Sequence, residues 1–232
     1  MIAGQLTLDL GHFPALGRDD FMVAPCNAEA VAWLERWPDW PHHALALFGP
    51  KGCGKSHLLA LFAQHHGLAA QIIPARQLTA GDSLHMQLAP VTIIDDLDEL
   101  SDETALFHLW NRTKESGLYL LLASRTAPAR LALALADLRS RLAGLHAVGI
   151  GAPDETLLAA VLVKLFADRQ LRVGEDVITT ILARAERSFA AMGTLVDSLD
   201  RASLASRKAV TVKMVRHALA LEDDRQGELT WT

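Results

Sequence analysis

Apolar residues along the chain fall first into short continuous runs and later into helical spacing. Between residues 44 and 149, apolar runs of strand length alternate with stretches in which apolar residues recur every three or four positions. The runs predict strands at 44–48, 70–74, 91–94, 118–123 and 145–149. The other stretches predict helices at 28–37, 55–66, 101–116 and 128–136. Apolar strands that alternate with helices are typical of a parallel sheet with helices on both faces.

The pattern changes after the fifth predicted strand. Pro153 and Asp154 predict a turn and the N-cap of a helix. Amphipathic helical spacing without strand patterns then follows at about 154–170, 175–187, 191–206 and 211–221. We therefore predict an α/β domain over residues 21–152, a helical domain over 153–232 and an N-terminal tail over 1–20.

The composition of the chain mainly excludes certain classes of protein. The 232 residues are 50% hydrophobic, which is enough for a sizeable core, and the net charge of -5 argues against a large nucleic-acid surface. The two cysteines, Cys26 and Cys53, have no metal-ligand spacing and favour a reducing compartment. Because we find no signal-peptide pattern and no apolar run of membrane length, we expect a cytoplasmic protein that does not bind a membrane.

The most specific chemical signal lies between a predicted strand and a leucine-rich helix. Residues 49–56 read GPKGCGKS and match the pattern G-x-x-x-x-G-K-[ST] of a P-loop. Its glycines let successive backbone N–H groups point into one hollow that holds phosphate oxygens. Lys55 is expected to reach the β and γ phosphates and Ser56 to bind Mg²⁺, with ADP or ATP as the nucleotide. The predicted nucleotide-binding residues are Gly49, Pro50, Lys51, Gly52, Cys53, Gly54, Lys55, Ser56 and His57.

Acidic residues follow the third predicted strand, in the stretch VTIIDDLDEL. We expect Asp95 to hold Mg²⁺ through a water and Asp96 to orient or activate an attacking water. The alternative is that both carboxylates cap the next helix, as Asp98 and Asp102 are also placed to do.

The fourth predicted strand ends in the residues Ser124 and Arg125. Ligands of open parallel sheets bind beyond the carboxyl ends of the strands, so Ser124 is a candidate for contacting the γ-phosphate or the attacking water. A helix cap is an equally good interpretation of this serine.

The N-terminal stretch QLTLDL, residues 5–10, alternates leucines with polar residues. An extended peptide of this kind can bury leucines in apolar pockets of a partner while its glutamine and backbone form hydrogen bonds at the rim. The residues in question are Gln5, Leu6, Leu8 and Leu10. A disordered tail, or an edge strand folded onto the core, is the alternative.

These motifs together resemble AAA+ ATPases of the DnaA/Hda type. The stretches FMVAPCNAEAVAWL, GPKGCGKSHLL and IIDDLDEL are similar to the family's entry segment, Walker A and Walker B, and DLRSRL resembles the box that carries the arginine finger. SLDRASLASRKAVTVKMVRHAL is closer to the regulatory Hda-type members than to the initiators. The resemblance implies an AAA+ P-loop core with a parallel sheet and a C-terminal α-helical lid domain.

The resemblance also implies partners and a reaction. Hda-type proteins bind the DNA polymerase III sliding clamp through a short N-terminal motif, which QLTLDL resembles, and contact DNA indirectly through the clamp. Their arginine finger, here Arg141, promotes hydrolysis of ATP bound to DnaA and so regulates replication initiation negatively. The resemblance does not decide whether the protein forms a homodimer. The alternative for Arg139 and Arg141 is a solvated pair at a helix end.

The lid departs from the family pattern at one position. AAA+ lids carry a sensor-2 arginine at the start of the third lid helix, where this chain has Ala190. Arg187 is the predicted substitute, because a spacing of three residues on a helix places both positions on one face. Without that substitution we expect weak hydrolysis, with ADP or ATP serving as a structural ligand.

Two other functions are compatible with these residues. One is a helicase loader or a stand-alone DnaA-related ATPase, which would hydrolyse ATP without DnaA and bind single-stranded DNA. The other is a catalytically silent adaptor that bridges the clamp and the initiator.

Overall fold

The protein contains a parallel five-stranded sheet in the order β2-β3-β4-β1-β5. The computed structural model describes residues 21–66 and 71–229. The strands are β1 (Ala44–Phe48), β2 (Gln71–Pro74), β3 (Val91–Asp95), β4 (Tyr119–Ser124) and β5 (Ala147–Gly149). The α/β class predicted from the alternating apolar runs is confirmed.

The helices divide into two sequential groups. The first group lies among the strands and comprises α1 (Ala28–Glu35), α2 (Lys55–His65), α3 (Ala80–His85), α4 (Glu103–Glu115) and α5 (Ala136–Ala143). The second follows the sheet and comprises α6 (Glu155–Asp168), α7 (Glu175–Arg184), α8 (Phe189–Ser206) and α9 (Val212–Leu229). None of the helices in the described part of the chain has both the length and the apolar character needed to cross a membrane.

Helices cover both faces of the sheet. Because successive side chains of a strand point to opposite sides, each strand contributes residues to two cores. In β1, Leu45 and Leu47 join the core that contains α1 and α2, whereas Ala44 and Ala46 join the core that contains α4 and α5. Burying a leucine side chain fully contributes about 1.5–3 kcal/mol. Such two-sided burial accounts for strands that are apolar throughout rather than alternating.

One predicted helix, over residues 128–136, is wrong. The chain there forms a 3-10 turn at Pro128–Arg130 and then runs without regular structure until α5 begins at Ala136. Leu131, Leu133 and Leu135 are partly buried against the core. Their spacing of two residues does not match the period of 3.6 residues by which a helix brings side chains to one face. The carboxylate of Glu103 accepts hydrogen bonds from the backbone N–H groups of Ala134 (2.9 Å) and Leu135 (2.6 Å), which ties this segment to α4.

The helices α6 to α9 pack around a core of their own. Its buried residues include Leu158, Phe166, Leu195 and Val215. Asp154 caps the first of these helices as predicted, since its carboxylate accepts a hydrogen bond of 2.8 Å from the backbone N–H of Leu157. We refer to α6–α9 as the lid.

His66 lies at the end of α2 among aromatic rings. Its ring centre is 4.9 Å from that of Trp37 and 4.8 Å from that of Phe62. Its Nε2 is buried and has no hydrogen-bond partner among the described residues. Burial lowers the pKa of His66 below its ordinary value of 6.5, and the neighbouring His65 lowers it further.

The lowered pKa of His66 predicts a loss of stability in mild acid. Below about pH 6.5 the unfolded chain binds a proton at His66 that the folded protein does not yet bind. The free energy of unfolding therefore decreases as the pH is lowered, by at most about 1.4 kcal/mol per pH unit. We expect His66→Phe to remove this loss. Urea denaturation between about pH 5 and pH 7.5 measures it.

The comparison with the wild type is needed because other groups titrate nearby. Burial raises the pKa of Glu35 above 4.5, and protonation of this carboxyl favours the folded state as the pH falls. His85→Gln, on the exposed side of α3, is the matched control and should retain the wild-type pH dependence. Identical curves for His66→Phe and the wild type would contradict the assignment.

Candidate functional site

A cavity of about 870 Å³ lies between the carboxyl ends of the strands and the lid. Its size falls within the range of about 300–1,000 Å³ that is usual for small-molecule sites. Seven residues predicted from the sequence line it, namely Lys51, Gly52, Gly54, Lys55, Ser56, His57 and Asp96. The sheet order places the ends of β1, β4 and β3 side by side, so segments far apart in sequence meet in one cavity.

The P-loop requires glycine for two separate reasons. Gly52 and Gly54 have φ angles of 77° and 99°, a left-handed region that disfavours residues with a side chain. Gly49 is excluded from bearing a side chain by packing, since a Cβ atom there would lie 2.2 Å from the carbonyl oxygen of Ile150. The loop between β1 and α2 is therefore fixed by its own backbone conformation and by packing against the segment after β5.

Lys55 is the first residue of α2 and is almost fully buried, with 6% of its surface exposed. Its ammonium group donates hydrogen bonds to the carbonyl oxygens of Gly49 (2.7 Å) and Pro50 (3.1 Å) and lies 3.9 Å from the sulfur of Cys53. These contacts place the charge inside the curl of the P-loop. Gly49, Pro50 and Cys53 do not line the cavity themselves.

The lid contacts the P-loop directly. The backbone N–H of Phe189 donates a hydrogen bond of 3.0 Å to the carbonyl oxygen of Gly52. Ser188 caps α8 by accepting a 3.1 Å hydrogen bond from the N–H of Ala191. A Cβ atom at Gly52 would lie 2.6 Å from Cβ of Ser188, so the start of α8 fits only against a glycine.

The two aspartates at the end of β3 have different surroundings. Asp96 has a φ of 53° and lines the cavity, whereas Asp95 is partly buried and accepts a 2.9 Å hydrogen bond from the backbone N–H of Asp96. The cap of α4 is Asp102, whose carboxylate accepts a 3.0 Å hydrogen bond from Ala105, so neither Asp95 nor Asp96 caps that helix. Carboxylate and hydroxyl oxygens, as on Asp95 and Ser56, are ligands that Mg²⁺ prefers.

Ser124 does not line the cavity. Only 1% of its surface is exposed, and its hydroxyl donates a 2.6 Å hydrogen bond to the carbonyl oxygen of Thr126. The next residue, Arg125, does line the cavity. The γ-phosphate role of Ser124 stays a prediction, and its hydroxyl would have to leave the Thr126 carbonyl to perform it.

Arg141 lies outside the cavity, on α5. Its guanidinium donates a 2.6 Å hydrogen bond to the side-chain oxygen of Asn111 and lies 4.6 Å from the ring centre of Phe107. It is half-buried against α4, whereas Arg139 on the same helix is exposed.

Arg187 also lies outside the cavity lining. It pairs with Glu155 at 3.1 Å, and both side chains are exposed. The helical argument for Arg187 is wrong, because α8 begins at Phe189 and Arg187 precedes its N-cap, Ser188. Ala190 lines the cavity at the position matched to the sensor-2 arginine and brings no charge.

Several charged cavity residues were not predicted from the sequence. They are Arg76, Glu99, Arg125, Lys164 and Asp168. Arg76 and Arg125 could have been found, because each follows the carboxyl end of a parallel strand, where ligands of such sheets bind. Lys164 and Asp168 lie on α6, and no motif distinguishes them from other charged residues of an amphipathic helix.

The N-terminal segment reaches the cavity at its first described residues. Phe21 and Met22 line it, and the ring of Phe21 stacks on that of His57 with centres 5.9 Å apart. The predicted clamp-binding residues, Gln5, Leu6, Leu8 and Leu10, lie outside the described residues.

Comparison with solved structures defines the class of fold. Domain III of the replication initiation protein DnaA from Thermotoga maritima is similar, with a TM-score of 0.76 and 19% identity, over 90% of this chain and 97% of that one. A replication initiator DnaA bound to AMPPCP and single-stranded DNA has a TM-score of 0.64 and 19% identity, over 81% and 66%. The RuvB Holliday junction branch migration motor of Thermotoga maritima reaches 0.62 at 16% identity, over 77% and 61%. The fold is that of an AAA+ domain with its lid.

Comparison of sequences adds a narrower relationship. Residues 154–219 match the family model described as the lid domain of Hda. An uncharacterised protein of Haemophilus influenzae is 26% identical over 186 residues, which cover 75% of this chain and 80% of that protein. The resemblance to AAA+ proteins of the DnaA/Hda type is confirmed.

The contact between the P-loop and the lid predicts an unequal pair of glycine variants. Gly52→Ala introduces left-handed strain of about 1–2 kcal/mol and overlap with Ser188, which adds about 1–3 kcal/mol. Gly117→Ala is the matched control, because Gly117 also has a positive φ, 66°, but has open space around it. We expect the larger loss of stability for Gly52→Ala in chemical denaturation, with faster amide exchange at Phe189. Equal losses would show that the lid does not rest on the P-loop in solution.

Proposed function

We propose that this protein is a regulator of replication initiation that binds adenine nucleotide, engages the sliding clamp and promotes hydrolysis of ATP held by DnaA. The observation that carries the proposal is a P-loop cavity closed by a lid of the Hda type. A partner of DnaA and the clamp would act in the cytoplasm and contact DNA indirectly through the clamp.

We take adenine nucleotide with Mg²⁺ to be the ligand of the cavity. The DnaA relative bound to AMPPCP supports a nucleotide ligand for a domain of this shape. In this chain Lys55 and the P-loop backbone would bind the phosphates, and Ser56 and Asp95 would hold the metal. Asp96, which lines the cavity, would orient a water.

The position of Arg141 supports a role toward a second molecule. Because Arg141 lies outside the cavity of its own chain, a nucleotide that it contacts would belong to a partner. Its contacts with Phe107 and Asn111 hold the guanidinium at the surface of α5 in a defined orientation. An arginine finger supplied in this way stabilises charge on the transferred phosphoryl group.

The lid supports weak hydrolysis by the protein itself. Ala190 adds no cation to the cavity, and Arg187 would have to leave Glu155 to reach the nucleotide. Lys164 is the lid cation in the described lining, and it is paired with Asp168 at 3.0 Å. The nucleotide would then serve to stabilise the conformation that presents Arg141. A stand-alone ATPase or helicase loader remains the second candidate, for which the P-loop and Asp96 are the support.

Arg141→Ala tests the proposed reaction. With wild-type DnaA loaded with ATP and with the clamp on DNA, we expect the variant to lower the rate of ATP loss from DnaA by about 10³-fold or more. Arg139→Ala is the matched control and should act like the wild type, since Arg139 is exposed on the same helix. The measurement is the ratio of ATP to ADP on DnaA over time.

A second variant separates the charge of Arg141 from its packing role. Arg141→Met keeps an apolar stem against Phe107 but removes the charge, so it should fold normally and lose activity as Arg141→Ala does. An unchanged rate with Arg141→Met would rule out the finger. ATP hydrolysis by this protein alone at a comparable rate would favour the stand-alone ATPase.

The stretch from Gln5 to Leu10 predicts clamp binding that is separable from folding. Deleting it should abolish binding to the clamp, measured by surface plasmon resonance, and leave the thermal unfolding midpoint unchanged. Leu8→Ala or Leu10→Ala should each weaken binding about tenfold or more, because each leucine contributes about 1.5–3 kcal/mol. Thr7→Ala and Asp9→Ala, which alternate with the leucines, are the controls. Retained binding after deletion would reject the motif.

A further inference from the structure

A second groove, with a volume of about 410 Å³, lies on the lid. It is formed where the turn between α6 and α7 meets the turn between α8 and α9. Arg172, Arg207 and Lys208 line it, and none of the acidic side chains that the structure describes does. None of its residues lines the nucleotide cavity, so the groove is a separate surface.

Hydrogen bonds hold the backbone of the groove on both sides. The hydroxyl of Ser203 donates a 2.7 Å hydrogen bond to the carbonyl oxygen of Lys208, whose N–H donates one of 3.3 Å to the carbonyl oxygen of Ser203. On the other side, the N–H of Leu171 donates a 2.9 Å hydrogen bond to the carbonyl oxygen of Phe166. The groove is therefore already formed in the protein alone.

The three cations of the groove lack compensating charges. None of them forms an ion pair with an acidic residue whose side chain the structure describes. The nearby Arg169, by contrast, is paired with Asp197. Like charges repel, so three unpaired cations at one groove raise the electrostatic energy of the protein. In a chain with a net charge of -5, the groove is a local basic surface that an anionic partner would stabilise.

The helix ends beside the groove do not account for this set of cations. Arg207 is the C-cap of α8 and Lys208 follows it, at a helix end that favours positive charge. Arg172, however, precedes Gly174, the N-cap of α7, and this end of a helix disfavours positive charge. Arg207 also has a φ of 54°, a conformation that favours glycine. Local structure alone therefore does not require the three charges.

An exposed leucine indicates the kind of anion. Leu204, in the last turn of α8, is 70% exposed and lines the groove together with the buried Val210. The backbone of a nucleic acid would leave this apolar surface uncovered. Among the described residues no aromatic side chain lines the groove, so a base would have nothing on which to stack. A peptide with carboxylates and an apolar side chain complements both the charge and the apolar surface.

We propose that this groove is a docking site for an acidic segment of a protein partner. Carboxylates of the segment pair with Arg172, Arg207 and Lys208, and an apolar side chain of the segment packs on Leu204. The site goes beyond the function proposed above, because it uses neither the nucleotide cavity nor Arg141. Since ion pairs in contact with solvent are screened by salt, binding weakens as salt is added, and the apolar contact retains part of the affinity.

Fluorescence anisotropy with a labelled synthetic peptide, in which aspartate and glutamate surround a single leucine, tests the site. We expect Arg207→Glu and Lys208→Glu each to weaken binding about tenfold or more, because each replaces an attraction by a repulsion. Arg216→Glu, on an exposed cation of α9 outside the groove, is the matched control, since it changes the net charge equally. It should weaken binding by less than about twofold. Unchanged thermal unfolding midpoints would show that the variants fold.

Leu204→Ser tests the apolar half of the site. It should weaken binding of the leucine peptide about threefold or more, and should leave unchanged the weaker binding of the same peptide with serine in place of leucine. Single-stranded DNA is the competing ligand. If DNA binds as tightly as the peptide, and the charge variants weaken it while Leu204→Ser does not, a nucleic-acid site replaces the peptide site. Absence of peptide binding, or equal losses in Arg207→Glu and Arg216→Glu, would also overturn the proposal.

Discussion

The contact between the P-loop and the first turn of α8 is the constraint on which the site depends. It joins Gly52 to Phe189 by a backbone hydrogen bond and leaves no room for a side chain at Gly52. Through this contact the lid closes a cavity that would otherwise be an open sheet edge. The sheet and the lid have separate hydrophobic cores, so their relative position depends on a few contacts of this kind.

The charges around the cavity follow from the same arrangement. Because the sheet is parallel, the ends of neighbouring strands bring Lys55, Asp96 and Arg125 to one edge. Arg141 follows the same strand as Arg125 in sequence, yet it packs on α4 and does not line the cavity. The chain thus carries one arginine at its own cavity and another outside it, as the proposed role of Arg141 toward a partner requires.

The strand predictions from apolar runs were accurate within a residue or two, because a strand buried on both faces must be apolar throughout. The prediction failed at LALAL, residues 131–135, where leucine and alanine favour a helix but the leucines pack in a spacing of two. Hydrogen bonds from that segment to Glu103, on a different element, decided its conformation. Local preference was overruled by a contact that the local pattern does not contain.

The sequence by itself determined the P-loop, the acidic strand end and the cap of the lid, because each depends on residues within a few positions of one another. Only the tertiary structure decided that Ser124 is buried while Arg125 reaches the cavity, and that Arg187 pairs with Glu155. It also brought Arg125 to Glu99, 26 residues earlier. Such pairings depend on the order of strands in the sheet and on the position of the lid. The spacing of residues along the chain predicts neither.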